Sequence, residues 1–100
     1  MGANRLDIAG VLVELGGLRH TPSGLPSLQL RLKHVSEQIE AGHRRQVECE
    51  VDALAFGETA TALATLARGT ALRLTGFLDR RSACNPQPLL HVTGYELIKE

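Results

Sequence analysis

Apolar and polar residues alternate through several stretches of this chain, separated by glycines, prolines and one alanine-rich stretch. Leu28, Leu30 and Leu32 share one parity. Gln29, Arg31 and Lys33 take the other, because successive side chains of a strand point to opposite faces. Leu6 and Ile8 alternate cleanly up to Gly10, after which Val11 and Val13 continue on the opposite parity. A glycine at such a change predicts a bulge or sharp coil that lets one strand serve both halves of a small barrel. The first strand is expected over residues 5–15, ended by Gly16-Gly17, and the second over residues 27–36. Between them Thr21-Pro22-Ser23-Gly24-Leu25-Pro26 reads as a turn, with Pro22 at the second position and Gly24 at the fourth of a type I turn.

A polar loop is expected over residues 37–43, hinged at Gly42, and a third strand over residues 44–53. There Val47, Cys49 and Val51 alternate with Gln46, Glu48, Glu50 and Asp52, which makes Cys49 a small core residue by parity. The period then changes. Leu63, Leu66 and Ala67, with Ala62 beside them, fall on one face of a helix spanning residues 57–68. Glu58 suits its positive N-terminal end, Arg68 its negative end and Gly69 a left-handed cap. Thr59, Thr61 and Thr65 weaken that helix, so packing must hold it. Phe56, just before it, is expected in the core. A fourth strand over residues 70–80 turns Leu72, Leu74 and Leu78 inward and Arg73, Thr75 and Phe77 outward. A loop over residues 81–88 leads to a fifth strand, residues 89–99, interrupted at Gly94.

The order is β-β-β-α-β-β. Five short strands with one helix between the third and fourth match the oligonucleotide-binding (OB) fold, a partly open Greek-key barrel whose bottom the helix would close. The expectation is a mainly β chain with a single OB-fold domain over residues 1–100.

Composition narrows the chemistry. No apolar run reaches the roughly 18 residues a membrane span needs. The N-terminus lacks a signal-peptide profile, so a cytoplasmic protein is expected. Cys49 and Cys84 lie far apart, and the histidines at positions 20, 34, 43 and 91 do not complete a metal-ligand spacing, so no metal or cofactor is expected. No Ser/His/Asp order or phosphate-cradling glycine loop is present, and Glu48, Glu50 and Asp52 alternate along one strand rather than converging, so no enzyme is expected.

Charge is balanced, with 11 Lys+Arg against 11 Asp+Glu, but unevenly spread. Arg19, Arg31, Lys33, Arg44 and Arg45 lie in one stretch with His20, His34 and His43, opposed there only by Glu37 and Glu40. The carboxylates follow, at Glu48, Glu50 and Asp52. Arg73 faces outward on the fourth strand, and Arg80 and Arg81 open the loop after it, a usual place for contacts in this fold. The candidate polyanion-binding set is therefore Arg19, Arg31, Lys33, His34, His43, Arg44, Arg45, Arg73, Arg80 and Arg81.

Several short elements recur in one order along the chain: Asn4-Arg5-Leu6 with Gly10, Pro22-Ser23-Gly24-Leu25-Pro26, Gln29, His34, and Glu40-Ala41-Gly42 with Arg45-Gln46. Cys49, Gly76-Phe77 and Glu96-Leu97-Ile98 complete the set. Together they resemble the primosomal replication protein N (PriB) family, bacterial relatives of single-stranded DNA-binding protein. The resemblance implies an OB fold, a homodimer, single-stranded DNA binding, and partnership with the replication-restart helicase PriA.

It also implies aromatic residues where this chain has His43 and Glu48, and several lysines in the segment matching residues 80–88, where only Arg80 and Arg81 stand. Arg19 keeps the family's basic position on the first hairpin. With Phe56, Phe77 and Tyr95 as the only aromatics, binding is expected to be mainly electrostatic, salt-sensitive and poorly selective for sequence. Phe77 is expected to pack under a loop or at a contact between copies. A second reading is a protein-interaction adaptor whose acidic row Glu48, Glu50 and Asp52 faces a partner while DNA binding is incidental.

Overall fold

A computed structural model describes residues 2–99. Its elements are β1 (Leu6–Leu15), β2 (Arg19–His20), β3 (Pro26–Glu40), β4 (His43–Phe56), α1 (Gly57–Leu63), β5 (Ala71–Ser82) and β6 (Asn85–Leu97). The sheet order is β1-β5-β6-β4-β3-β2, and β1 also pairs with β3, which closes a barrel of five long strands with the short β2 outside it. β4 and β6 run parallel. This is the OB topology the order of elements predicts, with its helix between the third and fourth long strands.

Closure depends on β1 being shared. It pairs with β5 from Leu6 to Val11 and with β3 from Val11 to Leu15. Gly10 sits at the handover, where a Cβ would lie 2.2 Å from the Lys33 carbonyl oxygen. The register irregularity itself falls between Leu12 and Glu14, just past the glycine. The turn before β3 forms as expected: the Gly24 N–H donates to the Thr21 carbonyl at 2.8 Å.

The core lies inside the closed part. Leu12, Leu28, Leu32, Leu63, Leu72, Leu74 and Leu90 are fully buried, each contributing about 1.5–3 kcal/mol by leaving water. The alternation of Leu28, Leu30 and Leu32 therefore reads correctly, and Gln29, Arg31 and Lys33 face outward. α1 supplies Ala60 and Leu63 to this core.

Several expectations need correction, most for one physical reason. β3 and β4 do not stop at a polar loop. They stay paired out to Glu40 and His43, joined by the two-residue turn Ala41-Gly42, whose φ angles of 53° and 80° give the left-handed pair of a type I′ hairpin. The stretch read as a loop is thus a hairpin arm. β1 leaves β3 at Lys33, so among the described residues no third strand pairs with the arm beyond it. Cys49, paired with His34 on that arm, is exposed rather than core.

β5 and β6 likewise run on to Ser82 and Asn85 across a tight turn in place of the expected loop. Leu78 lies on this second projecting hairpin and is 38% exposed instead of inward. Phe56 is 40% exposed because it ends β4 on the outer face. The helix ends at Leu63 rather than residue 68. Thr65 and Leu66 close shorter bonds to Ala62 and Leu63, and the Thr65 hydroxyl donates to the Ala62 carbonyl. Gly69 adopts φ +92° as expected, but its N–H reaches the Leu12 carbonyl at 2.7 Å and so ties the connection to β1 instead of capping α1.

Candidate nucleic-acid interface

The outer face of β3 and β4 lies between two projecting segments, the β1–β3 connection carrying β2 and the β5–β6 hairpin. In this fold that face, flanked by those loops, is the usual ligand site. A cleft of about 250 Å³ opens there, with Glu14, Gly16, Gln29, Arg31, Asp52, Arg81 and Leu89 among its walls.

Register explains what meets in it. Arg31 lies opposite Asp52 across β3–β4 and opposite Glu14 across β1–β3. Its Nε donates to Asp52 Oδ1 at 2.7 Å and its Nη1 to Glu14 Oε1 at 3.1 Å, with Glu50 Oε1 at 3.8 Å. Arg81, brought in by β5, donates to the other Asp52 oxygen. The hydrogen bond from Arg31, joined by that from Arg81, holds the Asp52 carboxyl below the usual carboxylate range against its partial burial. Arg31 is raised in turn, first by that same bond. Lys33 Nζ lies 3.1 Å from Glu48 Oε1.

The remaining candidates are distributed differently. Arg44 pairs with Glu37 at 3.3 Å and Arg45 with Glu40, both on the distal arm. Arg73 pairs with Glu96 at 3.1 Å, next to β1 on another part of the barrel. Arg19 on β2 and Arg80 on the β5–β6 hairpin make no ion pair among the described residues; Arg80 has the parity of β5 opposite to that of Asp79 and Arg81. His43 is exposed at the arm's tip.

His34 is not a free surface group. One ring nitrogen lies 2.6 Å from the Ala9 carbonyl oxygen and the other 2.7 Å from the Ser36 hydroxyl. A carbonyl only accepts, so Nδ1 donates to it, and the ring pins β3 to β1 where their ladder ends.

The structure thus brings Arg31, Lys33 and Arg81 together, and places Glu14, Glu48, Glu50 and Asp52 among them. The face is charge-matched rather than cationic. Sequence parity puts Glu48, Glu50 and Asp52 on the outer face but does not reveal that β1 adds Glu14. Also missed is a row of rings. Phe77, outward by parity and expected under a loop or at a contact between copies, stacks on His91 of β6, and Phe56 of β4 lies tilted against the same imidazole. The outward parity of Phe77 on its strand, and of Leu89 and His91 on theirs, is the sequence signal for the row. Among the described residues no group of three or more His, Cys, Asp or Glu could hold a metal ion, and no helix is long and apolar enough to cross a membrane.

Comparison with known proteins agrees with this geometry. Residues 4–94 match the family model of a single-strand binding protein family. Replication restart protein PriB of Bordetella pertussis is 47% identical over 75 residues, which cover 75% of this chain and 70% of that protein. PriB of Nitrosomonas europaea is 35% identical over 95% of this chain and 88% of its own length. The solved structure of PriB from Ralstonia solanacearum superposes with a TM-score of 0.87 at 35% identity, covering 96% of this chain and 98% of that one. A deletion mutant of the single-stranded DNA-binding protein of Thermus aquaticus shares the fold, with a TM-score of 0.80 at 20% identity over 98% of this chain and 51% of its own. The chain therefore belongs to the replication restart protein PriB family, within the single-strand binding proteins.

Proposed function

We propose that this protein is a non-catalytic accessory factor of replication restart that binds single-stranded DNA on the outer β3–β4 face and stimulates the restart helicase PriA. In this reading it acts as a cytoplasmic homodimer. The observation that carries it is the cleft between the two flanking segments of the barrel, where Arg31 and Arg81 converge on one carboxylate.

Arg19 and Arg80 approach the strand first, having no internal ion pair to break among the described residues. Arg31, Lys33 and Arg81 then take phosphate oxygens in exchange for, or beside, their carboxylates. Exposed ion pairs hold by only about 0–1 kcal/mol, so the exchange is cheap. An arginine carries donors enough to hold a carboxylate and a phosphate together. Arg44, Arg45 and His43 on the arm, with His34 at its root, extend the same interface in this reading, whereas Arg73 on another part of the barrel stands apart from it.

Fluorescence polarisation of a labelled oligonucleotide against salt tests it. Affinity falls steeply with salt, and Arg19→Ala and Arg80→Ala each weaken binding on all sequences and reduce the log–log slope by about 0.7. Absence of binding at low salt refutes the proposal.

The charge-matched face favours a second reading, an adaptor whose row Glu48, Glu50 and Asp52 meets a protein partner. Affinity that is flat with salt while PriA is still bound, and loss of that partner on neutralising the row, would select it.

A further inference from the structure

β1 pairs with β5 only as far as Leu6 and Gly76. Beyond that point β5 keeps β6 alone as a paired neighbour among the described residues, and the two run on as a hairpin to Ser82 and Asn85. A two-stranded ribbon by itself is only marginally stable in water. The first backbone groups on its open edge are nonetheless occupied. Asn4 Nδ2 donates to the Leu78 carbonyl at 2.7 Å, and the Leu78 N–H donates to Asn4 Oδ1 at 2.9 Å. Continuing the register of Leu6 and Gly76 by two residues sets Asn4 opposite Leu78. Its carboxamide therefore makes the two bonds that a backbone pair would exchange there. His34 does the like where β3 leaves β1, donating from Nδ1 to the Ala9 carbonyl.

The hairpin held in this way supplies part of the cleft. Arg81 and Leu89 line it, and Arg81 reaches Asp52 of β4. Arg81 stands three residues past Leu78, about 10 Å along the strand. A swing of about 20° at Leu78 carries Arg81 about 3–4 Å, out of hydrogen-bond reach of Asp52 and of a phosphate beside it.

We propose that Asn4 is a positioning residue of the nucleic-acid interface: its paired bonds to the Leu78 backbone set the direction of the β5–β6 hairpin and so fix where Arg80 and Arg81 meet phosphate. The proposal rests on the DNA-binding reading above. Asn4 touches no DNA and acts through the hairpin. A carboxamide suits this because it carries a donor and an acceptor in one plane. A carboxylate offers acceptors alone and would set an oxygen against the Leu78 carbonyl, and alanine offers neither.

Polarisation of a labelled oligothymidine against salt, with Asn4→Ala made in the unaltered chain and in the double variant Arg80→Ala/Arg81→Ala, tests the proposal. In the unaltered chain N4A is expected to weaken binding at low salt by about three- to tenfold and to lower the log–log slope by about 0.7–1.4, the loss of one or two phosphate contacts. In R80A/R81A it is expected to change neither affinity nor slope, because the groups it positions are gone. Amide exchange along residues 79–82 is expected to quicken in N4A while that of Leu72 and Leu74 stays as it was. Asn4→Ser, neutral and too short to make both bonds, takes the place of N4A if that variant does not fold.

The proposal is overturned if N4A leaves affinity and slope unchanged, or if it weakens binding as much in R80A/R81A as in the unaltered chain. It is overturned too if the amides of residues 79–82 exchange no faster. If the unaltered protein binds no oligothymidine at low salt, the DNA-binding reading fails and takes the proposal with it. If it binds and N4A changes nothing, only the positioning role fails.

Discussion

Gly76 stands where β5 crosses the backbone of β6, at a register irregularity between Thr75 and Gly76. A Cβ placed there would lie 1.8 Å from the His91 carbonyl oxygen and 2.8 Å from its carbonyl carbon. Carbon–oxygen contacts settle near 3.3 Å, so Gly76→Ala must part the strands by about 1.5 Å. Both obstructing atoms are backbone, and no rotamer relieves them. The displacement exceeds the tolerance of the ladder hydrogen bonds, and it strikes next to the buried side chains of Leu74, Leu90 and Val92. Overpacking of about 1–3 kcal/mol and one or two lost bonds of about 1 kcal/mol each give an expected loss of about 3 kcal/mol.

For a chain of this size that lowers Tm by about 12–24 °C. Gly94→Ala is the control. Gly94 pairs with Thr75 on the same strand pair, yet a Cβ there meets no atom within 4 Å. It should leave stability unchanged or raise it by about 0.4–1 kcal/mol through the unfolded chain. Urea unfolding followed by circular dichroism, at one protein concentration, measures both. A loss under about 1 kcal/mol for G76A, or an equal loss for G94A, refutes the steric argument.

Three further outcomes follow from the ion pairs and the hairpin turn. Asp52→Asn removes the carboxylate that occupies both Arg31 and Arg81. Oligonucleotide affinity at low salt should rise several-fold and the log–log salt slope steepen by about 0.7–1.4; an unchanged slope would show that those guanidinium groups do not meet phosphate. Asp7 is held below its ordinary range first by the Thr75 hydroxyl and then by Arg5, and Asp52 first by Arg31. Both folded values lie below the unfolded ones, so their stabilisation is complete above the ordinary carboxylate range and is lost as pH falls through the lowered values. Urea midpoints should therefore be level from neutral pH to about 5 and fall below about 4, with a shallower fall in D52N. Ala41 holds φ 53°, and Ala41→Asn creates the Asn-Gly pair that type I′ turns favour. Stability of the arm should rise by about 0.5–1 kcal/mol, read as slower amide exchange along β3–β4 beyond Lys33; faster exchange would contradict the turn assignment.

Much of the barrel is legible in the chain because alternation is a local property. Leu28, Leu30 and Leu32 announce their face without help, and so do Leu72 and Leu74. Gly10 announces the handover of β1, and Thr21 to Gly24 announce their turn. Val47, Cys49 and Val51 alternate in the same way, yet Cys49 is exposed. Parity tells which residues share a face. It does not tell how far along the strand that face stays covered, which depends on where a neighbour from elsewhere in the chain ends. The helix shows a similar limit: its apolar spacing extends to Ala67, but α1 ends at Leu63 and Ala67 is exposed.

By itself the sequence determined the β-β-β-α-β-β order, the leucine faces of the core, the outward parity of the basic residues and the elements that resemble PriB. The tertiary structure decided the length of the two hairpin arms, the pairing of Arg31 with Glu14 and Asp52, the arrival of Arg81 at the same carboxylate, and the row Phe56–His91–Phe77. Side-chain direction is set by neighbours one and two residues away, so one strand carries it. Ion pairing and stacking need residues tens of positions apart at one register, and only the closed sheet supplies that register.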